Sequence, residues 1–384
     1  MRLFANCLSL NSIEPGMLDW AKLGDFTECF ANSGLIEVRS GLIENIETVL
    51  YLSKMFQDCK SLESVTIQIP STCTNASAMF KGCSNLQVVS DSIFQNASGL
   101  INASEMFDYT SKLQQMPRIE DLTANVNCNA MFRSSGFSNF RGGFPRNCTN
   151  ADEMFENSQL SSMFAVIESS NLTTLDRTFM GCGNLGIITN IDLRCSNVTS
   201  VQFLFSGTGV NSIPSNYFSR LTNCVNFAGV FQNCKNLQYI YGEKESSPFF
   251  GCPVESLNSA FSGCSNLRGD LYYLFYSYAV TRRRTQGGNY WKVKGVSAYC
   301  KDYSFCFEGC SSLTGESCCS ELDDERETFM GWLTALWGFT NGYIPAENMQ
   351  ASSYNSTLYT SKRTGCYRGC VNLSDYNDIP SDWK

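Results

Sequence analysis

The chain has no histidine among its 384 residues. That absence removes Ser–His and Cys–His catalysis and every imidazole metal ligand from this polypeptide. Charged residues are sparse, 17% of the total, and 28 basic against 36 acidic side chains give a net charge of −8. Such a balance does not suit a phosphate backbone, so no nucleic-acid partner is expected. No stretch approaches 18 consecutive apolar residues, so no helix is expected to insert in a membrane. The first residues, MRLFANCLSLNSIEPG, lack an uninterrupted apolar core and show no signal-peptide pattern. A Gly-rich phosphate loop and a nucleophile elbow are missing, and no pair of acidic residues stands out as acid and base. The expectation is a non-enzymatic protein without cofactors.

What is present is enough to build a core: 43% hydrophobic and 13% aromatic residues. The length suits two or three domains or one elongated array, and an internal repeat favours the array. An aromatic recurs at Phe4, Phe30, Phe56, Phe80, Phe107, Phe132, Phe155, Phe179, Phe205, Phe231, Phe261, Phe307 and Tyr367. The first ten spacings average about 26 residues, inside the leucine-rich repeat range. The last two, 46 and 60, are each too long by roughly one extra element.

Taking the aromatic as position 0, apolar or small residues recur at −7, −4, −1 and +3. Cys73, Ala76, Met79 and Cys83 show the set around Phe80. Steps of 3 and 4 place these side chains on one face of a short helix. Pairs such as Leu62 and Val65, or Leu237 and Ile240, then mark a turn and a short strand. The expected fold is an α/β repeat solenoid: a right-handed, leucine-rich-repeat-like stack of about 13 units, each a short helix, turn and short strand. Residues 1–269 form its regular part. Residues 270–384 carry insertions at about 270–300 and 315–362.

The phrases NASAMFKGCSNLQVV (75–89), NASEMFDYTSKLQQM (102–116), NCVNFAGVFQNCKNLQYI (223–240) and AFSGCSNLRGDL (260–271) resemble the BspA-type leucine-rich repeats of bacterial, protozoan and phage surface proteins. The resemblance covers about 1–267 and returns at 305–315 and 364–376. It implies the solenoid fold and a role in adhesion, host attachment or assembly, without choosing among them.

Sixteen of the 20 cysteines sit at repeat positions. The +3 ladder comprises Cys7, Cys59, Cys83, Cys182, Cys234, Cys264, Cys310 and Cys370, and the same position accepts Ser33, Thr110, Ser135, Ser158 and Thr208. Free interchange with Ser and Thr points to buried free thiols rather than disulfides. The alternatives are a four-thiolate zinc site among Cys300, Cys306, Cys310, Cys318 and Cys319, or a bridge through Cys318 or Cys319. Because Cys306 and Cys310 are ordinary rungs and no CxxC knuckle exists, no metal is expected. Many reduced thiols without a signal peptide suit assembly in a reducing cytoplasm. The expected location is therefore a virion surface, with a cell surface or extracellular location as the alternative.

The insertions leave after position +9. The first reads as a hairpin around RRRTQGGN, and Arg282, Arg283, Arg284, Tyr290 and Trp291 are candidate contacts for an anionic or sugar surface. The bland reading is a solvated hairpin whose arginines protect an edge. The second contains Phe329, Trp332, Leu333, Leu336 and Trp337 at helical spacing. Trp332 and Trp337 either pack on the solenoid or dock a partner. The expected partner is a protein or glycan on a host or partner surface. Solenoid ends need caps, so another chain or an upstream segment is also expected against the Phe4–Ile13 edge.

Overall fold

The computed structural model describes residues 2–18, 24–46, 48–140, 142–240, 247–269, 283–285, 288–290, 300–314, 362, 364–374, 376–379 and 381–384. The chain divides into two compact units, Met1–Val210 and Asn211–Lys384.

In the first unit the repeat is a coil, and its aromatic segment is not a helix. No α-helix occurs among the described residues. This corrects the short helix expected in each repeat. The reason is a left-handed backbone at two places per coil. Lys54 and Asp58 flank Phe56 at φ +56° and +60°, and Ala78 and Gly82 flank Phe80 at +53° and +76°. A left-handed residue at −2 and again at +2 leaves no run of helical φ long enough for an i→i−4 bond. The backbone instead closes successive three-residue turns: Met55 N–H donates to Leu52, Gln57 to Lys54, Cys59 to Phe56 and Leu62 to Cys59. Turns closing every three residues put −7, −4, −1 and +3 on one side, much as a helix would. The spacing alone therefore misled the assignment.

The remaining amides bond to the next coil. From the Phe56 coil, the N–H groups of Leu52, Lys54, Phe56 and Asp58 donate to the carbonyls of Asn75, Ser77, Met79 and Lys81 at 2.7–2.9 Å. The Phe80 coil repeats this onto Asn102, Ser104, Met106 and Asp108. From −4 to +2 the amides that leave the coil thus donate to the later coil, while those at −6, −5 and +7 donate to the earlier one, as Thr74 and Asn75 do to Leu50 and Gln87 to Glu63. Parallel bridges continue the contact through Asp25, Tyr51, Asn75, Asn102, Asn127 and Asn150. The Asn75, Asn102, Asn127 and Asn150 side chains each accept the N–H two residues on, a turn staple that needs a short carbonyl-bearing side chain.

After the turns come short parallel strands. Strands β1 (Glu37–Val38), β2 (Ser64–Val65) and β3 (Val88–Val89) form one sheet in that order, and β4 (Ala165–Ile167) pairs with β5 (Ile191–Leu193). Val38, Val65, Ile167 and Leu193 point into the core while their neighbours face out.

Nine phenylalanines, from Phe4 to Phe205, stack nearly face to face down this unit, with centroids 5.2–6.0 Å apart and planes within 13°. Each interior ring is fully buried. Burial is worth about 1.5–3 kcal/mol per ring. That offsets a cost of about 1–2 kcal/mol for each left-handed residue that is not glycine.

The second unit repeats the scheme. Strands β6 (Ser212–Ile213) and β7 (Tyr239–Ile240) pair in parallel, and Phe231, Phe261, Phe307 and Tyr367 stack at 5.5–5.9 Å. Phe261 and Phe307 are direct neighbours despite a sequence separation of 46, as are Phe307 and Tyr367 at a separation of 60. The stack is therefore continuous across both long intervals. At the last coil the chain folds back in two 3-10 turns, Tyr376–Asp378 and Ser381–Trp383.

Replacing Phe107, packed between Phe80 and Phe132, by alanine should cost about 3–5 kcal/mol of unfolding free energy. Phe4→Ala, at a ring that is partly exposed and stacked on one side, should cost less than half as much. Urea denaturation of both variants checks the difference, and equal costs would contradict the column.

Candidate binding surfaces and the thiol columns

Six of the +3 thiols donate to the carbonyl of the preceding coil's aromatic: Cys59 to Phe30, Cys83 to Phe56, Cys182 to Phe155, Cys264 to Phe231, Cys310 to Phe261 and Cys370 to Phe307, all at 3.0–3.1 Å. That carbonyl already accepts the +3 N–H of its own coil, and the thiol takes its second lone pair. Ser135 makes the same bond to Phe107 at 3.1 Å, which explains the interchange with hydroxyl residues. The −7 thiols of Cys73, Cys148, Cys224 and Cys300 instead donate to the carbonyl two residues on, at 3.3–3.8 Å.

All 18 described cysteines are free, and only Cys7 is exposed. Burial pushes the thiols of Cys29, Cys73 and Cys195 up to about 11, and those of Cys182, Cys252, Cys300 and Cys370 up to about 12. Neutral thiols in dry surroundings are poor nucleophiles and poor metal ligands. Among the described residues no cluster of three or more His, Cys, Asp or Glu could hold a metal ion. Cys318 and Cys319 lie outside the described residues.

Charged side chains also serve the stack. The fully buried Asp108 carboxylate takes Nε and a terminal nitrogen of Arg133 at 3.1 and 2.8 Å, and Lys81 Nζ at 3.1 Å. Arg133 continues to Glu153, which also pairs with Arg177. The hydrogen bond to Asp108, above all, holds the Arg133 guanidinium charged.

The expected hairpin is present as β8 (Arg283–Thr285) and β9 (Gly288–Tyr290), antiparallel, with Arg283 opposite Tyr290 and Arg284 opposite Asn289. Arg282, Trp291, Trp332 and Trp337 lie outside the described residues, as does the acidic segment before the two later tryptophans. The structure adds a surface not anticipated from sequence. On β4 Val166 is 41% exposed, and Phe164, two residues earlier, is 72% exposed. Opposite Val166 stands Asp192, held by Arg194 Nε at 2.8 Å. The apolar run Met163–Ile167 carried the signal, since alternate residues of a strand must face outward.

Residues 24–144, under a third of the chain, match the family model described as Mycoplasma protein of unknown function, DUF285. The chain is similar to bacterial leucine-rich repeat proteins. A leucine-rich repeat protein of Bacteroides ovatus is 19% identical, over 69% of this chain and 75% of that one, with a TM-score of 0.32. A leucine-rich cell surface protein of Faecalibacterium prausnitzii is 16% identical, over 73% and 76%, with a TM-score of 0.32. A leucine-rich repeat protein of T. pallidum is 18% identical, over 53% of this chain and 78% of that one, with a TM-score of 0.24. No curated protein matches. The repeat-solenoid fold itself is read from the ladders above. Among the described residues no helix is long and apolar enough to cross a membrane.

Two predictions follow from the thiols. In native protein a disulfide reagent at pH 8 should modify Cys7 rapidly and leave the other described cysteines unmodified until denaturant is added. Peptide mapping of the labelled sites reads this. The second concerns alkaline pH. A folded-state value raised from 9.0 to about 11–12 means that each thiol's contribution is complete below 9 and is lost as pH rises toward 12. At pH 10 each such thiol should lower unfolding free energy by about 1.4 kcal/mol. Urea midpoints should be flat from pH 7 to about 8.5 and fall steeply above 9; a flat profile to pH 11 would contradict thiol burial.

Proposed function

We propose a non-enzymatic surface-binding protein that displays its coils at the surface of a cell or, in the finer reading, of a phage or other virion. The observation that carries this is the division of labour in each coil. Thiols, turn asparagines and the Asp108–Arg133 ion pairs bond coil to coil, while outward positions such as Phe164 and Val166 remain exposed and apolar. Exposed apolar groups on a rigid frame are a common basis of recognition. With this reading goes a right-handed course and a total of about 13 coils. Buried reduced thiols support assembly in a reducing compartment before display.

The ligand class is a protein or glycan on a host or partner surface. Contacts come from Phe164 and Val166 in the first unit and from Arg282–Arg284, Tyr290 and Trp291 of the hairpin in the second. Trp332 and Trp337 are additional candidates. A second reading, assembly into a larger particle through the first coil, is supported by Leu3 and Leu8, which are 43% and 71% exposed there.

Binding of purified protein to a glycan array and to intact candidate host cells tests the proposal. Phe164→Ser with Val166→Thr, or Arg283→Ala with Trp291→Ala, should reduce binding about tenfold while near-ultraviolet circular dichroism is unchanged. Wild-type binding by both variants would reject these surfaces. Recovery only as part of a particle, with no ligand for the free chain, would favour the second reading.

A further inference from the structure

Four consecutive coils of the first unit carry asparagine at the −5 position, and parallel bridges set Asn75, Asn102, Asn127 and Asn150 side by side. Each Oδ1 accepts the N–H two residues on, at 2.8–3.1 Å. A backbone N–H can give its proton only to the oxygen, so this bond fixes which way every side-chain amide faces. The four Nδ2 groups are left without a protein partner among the described residues. Other asparagines of the unit give theirs to the preceding coil: Asn85 to the Lys60 carbonyl, Asn147 to Thr123 and Asn197 to Ser170, at 2.6–2.8 Å. The turn staple itself does not need an amide nitrogen, since Asp25 and Asp302 make it at the same position with a carboxylate. The result is a row of half-buried, oriented NH2 donors, one per coil, about 4.8 Å apart.

What flanks the row narrows its ligand. In the coil before Asn75 the −5 position is Tyr51, bridged to Asn75 and 44% exposed. At −6 stand Thr74, Ile101 and Thr149, with Ile101 53% exposed. In the coil after Asn150 the −5 hydroxyl, on Thr174, is already given to Asp152 at 2.9 Å, so the donor row ends there. An aromatic face and β-branched methyls beside fixed donors suit sugar rings, which offer C–H faces and hydroxyl acceptors together. Asp152 beside Asn150, and a net charge of −8, disfavour an acidic polymer. An extended peptide laid along the row fits poorly, because its acceptors recur on one side about every 6.8 Å. An extended β-linked sugar chain advances by nearly one coil per ring.

We propose that Tyr51, Asn75, Asn102, Asn127 and Asn150 bind an extended, neutral, β-linked polysaccharide lying along the stack, one sugar to a coil. Tyr51 stacks on one ring of the bound stretch, and each Nδ2 donates to a sugar oxygen. None of these residues belongs to the Phe164–Val166 surface or to the hairpin, so the inference goes beyond those surfaces and does not rest on them.

The test titrates the full chain with cellobiose through cellohexaose, and with chitohexaose, while nitrogen–proton NMR spectra follow the asparagine side-chain amides. The Nδ2 signals of the row should shift and saturate with at least one hexasaccharide. Within that series binding should strengthen about tenfold or more from disaccharide to pentasaccharide and change less than about twofold beyond it. Maltohexaose, whose linkage curls the chain, and polygalacturonate should not compete. Asn102→Asp with Asn127→Asp keeps both turn staples and removes two donor groups, so it should weaken binding at least about tenfold while near-ultraviolet circular dichroism is unchanged. Tyr51→Ala should weaken it as well, and Tyr51→Phe should not. The Phe164→Ser, Val166→Thr variant should bind these sugars as wild type does. The proposal is overturned if neither hexasaccharide shifts the row, if affinity ignores chain length, or if maltohexaose or polygalacturonate binds equally well. It is equally overturned if the folded aspartate variant or Tyr51→Ala binds as wild type does, or if the Phe164→Ser, Val166→Thr variant loses the sugars.

Discussion

Everything in this molecule depends on the bond that one coil's amides make to the next coil's carbonyls. A coil by itself satisfies only the three-residue turns. Its amides at −4, −2, 0 and +2 find partners only in a neighbour, so a lone coil would leave four donors to water and bury little. Once a neighbour is present, the aromatic at position 0 is carried into register with the ring before it, and the column of phenylalanines follows. The left-handed residues, costly singly, are tolerated because both backbone bonding and ring burial require them.

The thiols occupy a niche created by that ladder. A carbonyl at position 0 with one lone pair filled calls for a short side chain with a single proton to give, in a space without water. Cysteine meets this with little desolvation penalty, and Ser135 meets it at another rung, whereas Thr110 and Thr208 donate to the carbonyl of their own coil's aromatic. Among the described residues, Cys7 excepted, the result is buried and unbridged sulfur.

Much of this was legible in the residues. The recurring aromatic placed the stacked rings, and the Cys/Ser/Thr interchange foretold free thiols. The RRRTQGGN segment gave a hairpin. The helix assignment failed because three-residue turns and a helix place nearly the same residues inward, and only φ separates them. A clue was nevertheless present. At +2 stand Asn6, Asn32, Asp58, Gly82, Asn157, Gly181, Gly207, Asn233, Gly263, Gly309 and Gly369, the residue types that accept a left-handed backbone most easily. The exposed pair Phe164 and Val166 was hidden for another reason. Its strand begins five residues after Leu160, rather than two as after Leu35, Leu62 and Leu86, so the repeat register did not show which residues faced out.

The proposed display role rests on the division between an inner lattice and outward-facing positions. The most direct test of the lattice is nuclear magnetic resonance measurement of couplings across hydrogen bonds in isotope-labelled protein. The amide nitrogen of Phe56 should couple to the carbonyl carbon of Met79, and that of Lys54 to Ser77, with Lys54 and Asp58 showing the three-bond couplings of positive φ. Coupling from Phe56 to the carbonyl of Leu52 would mean that the segment is a helix after all, and the account of stacking and thiol placement built on it would be contradicted.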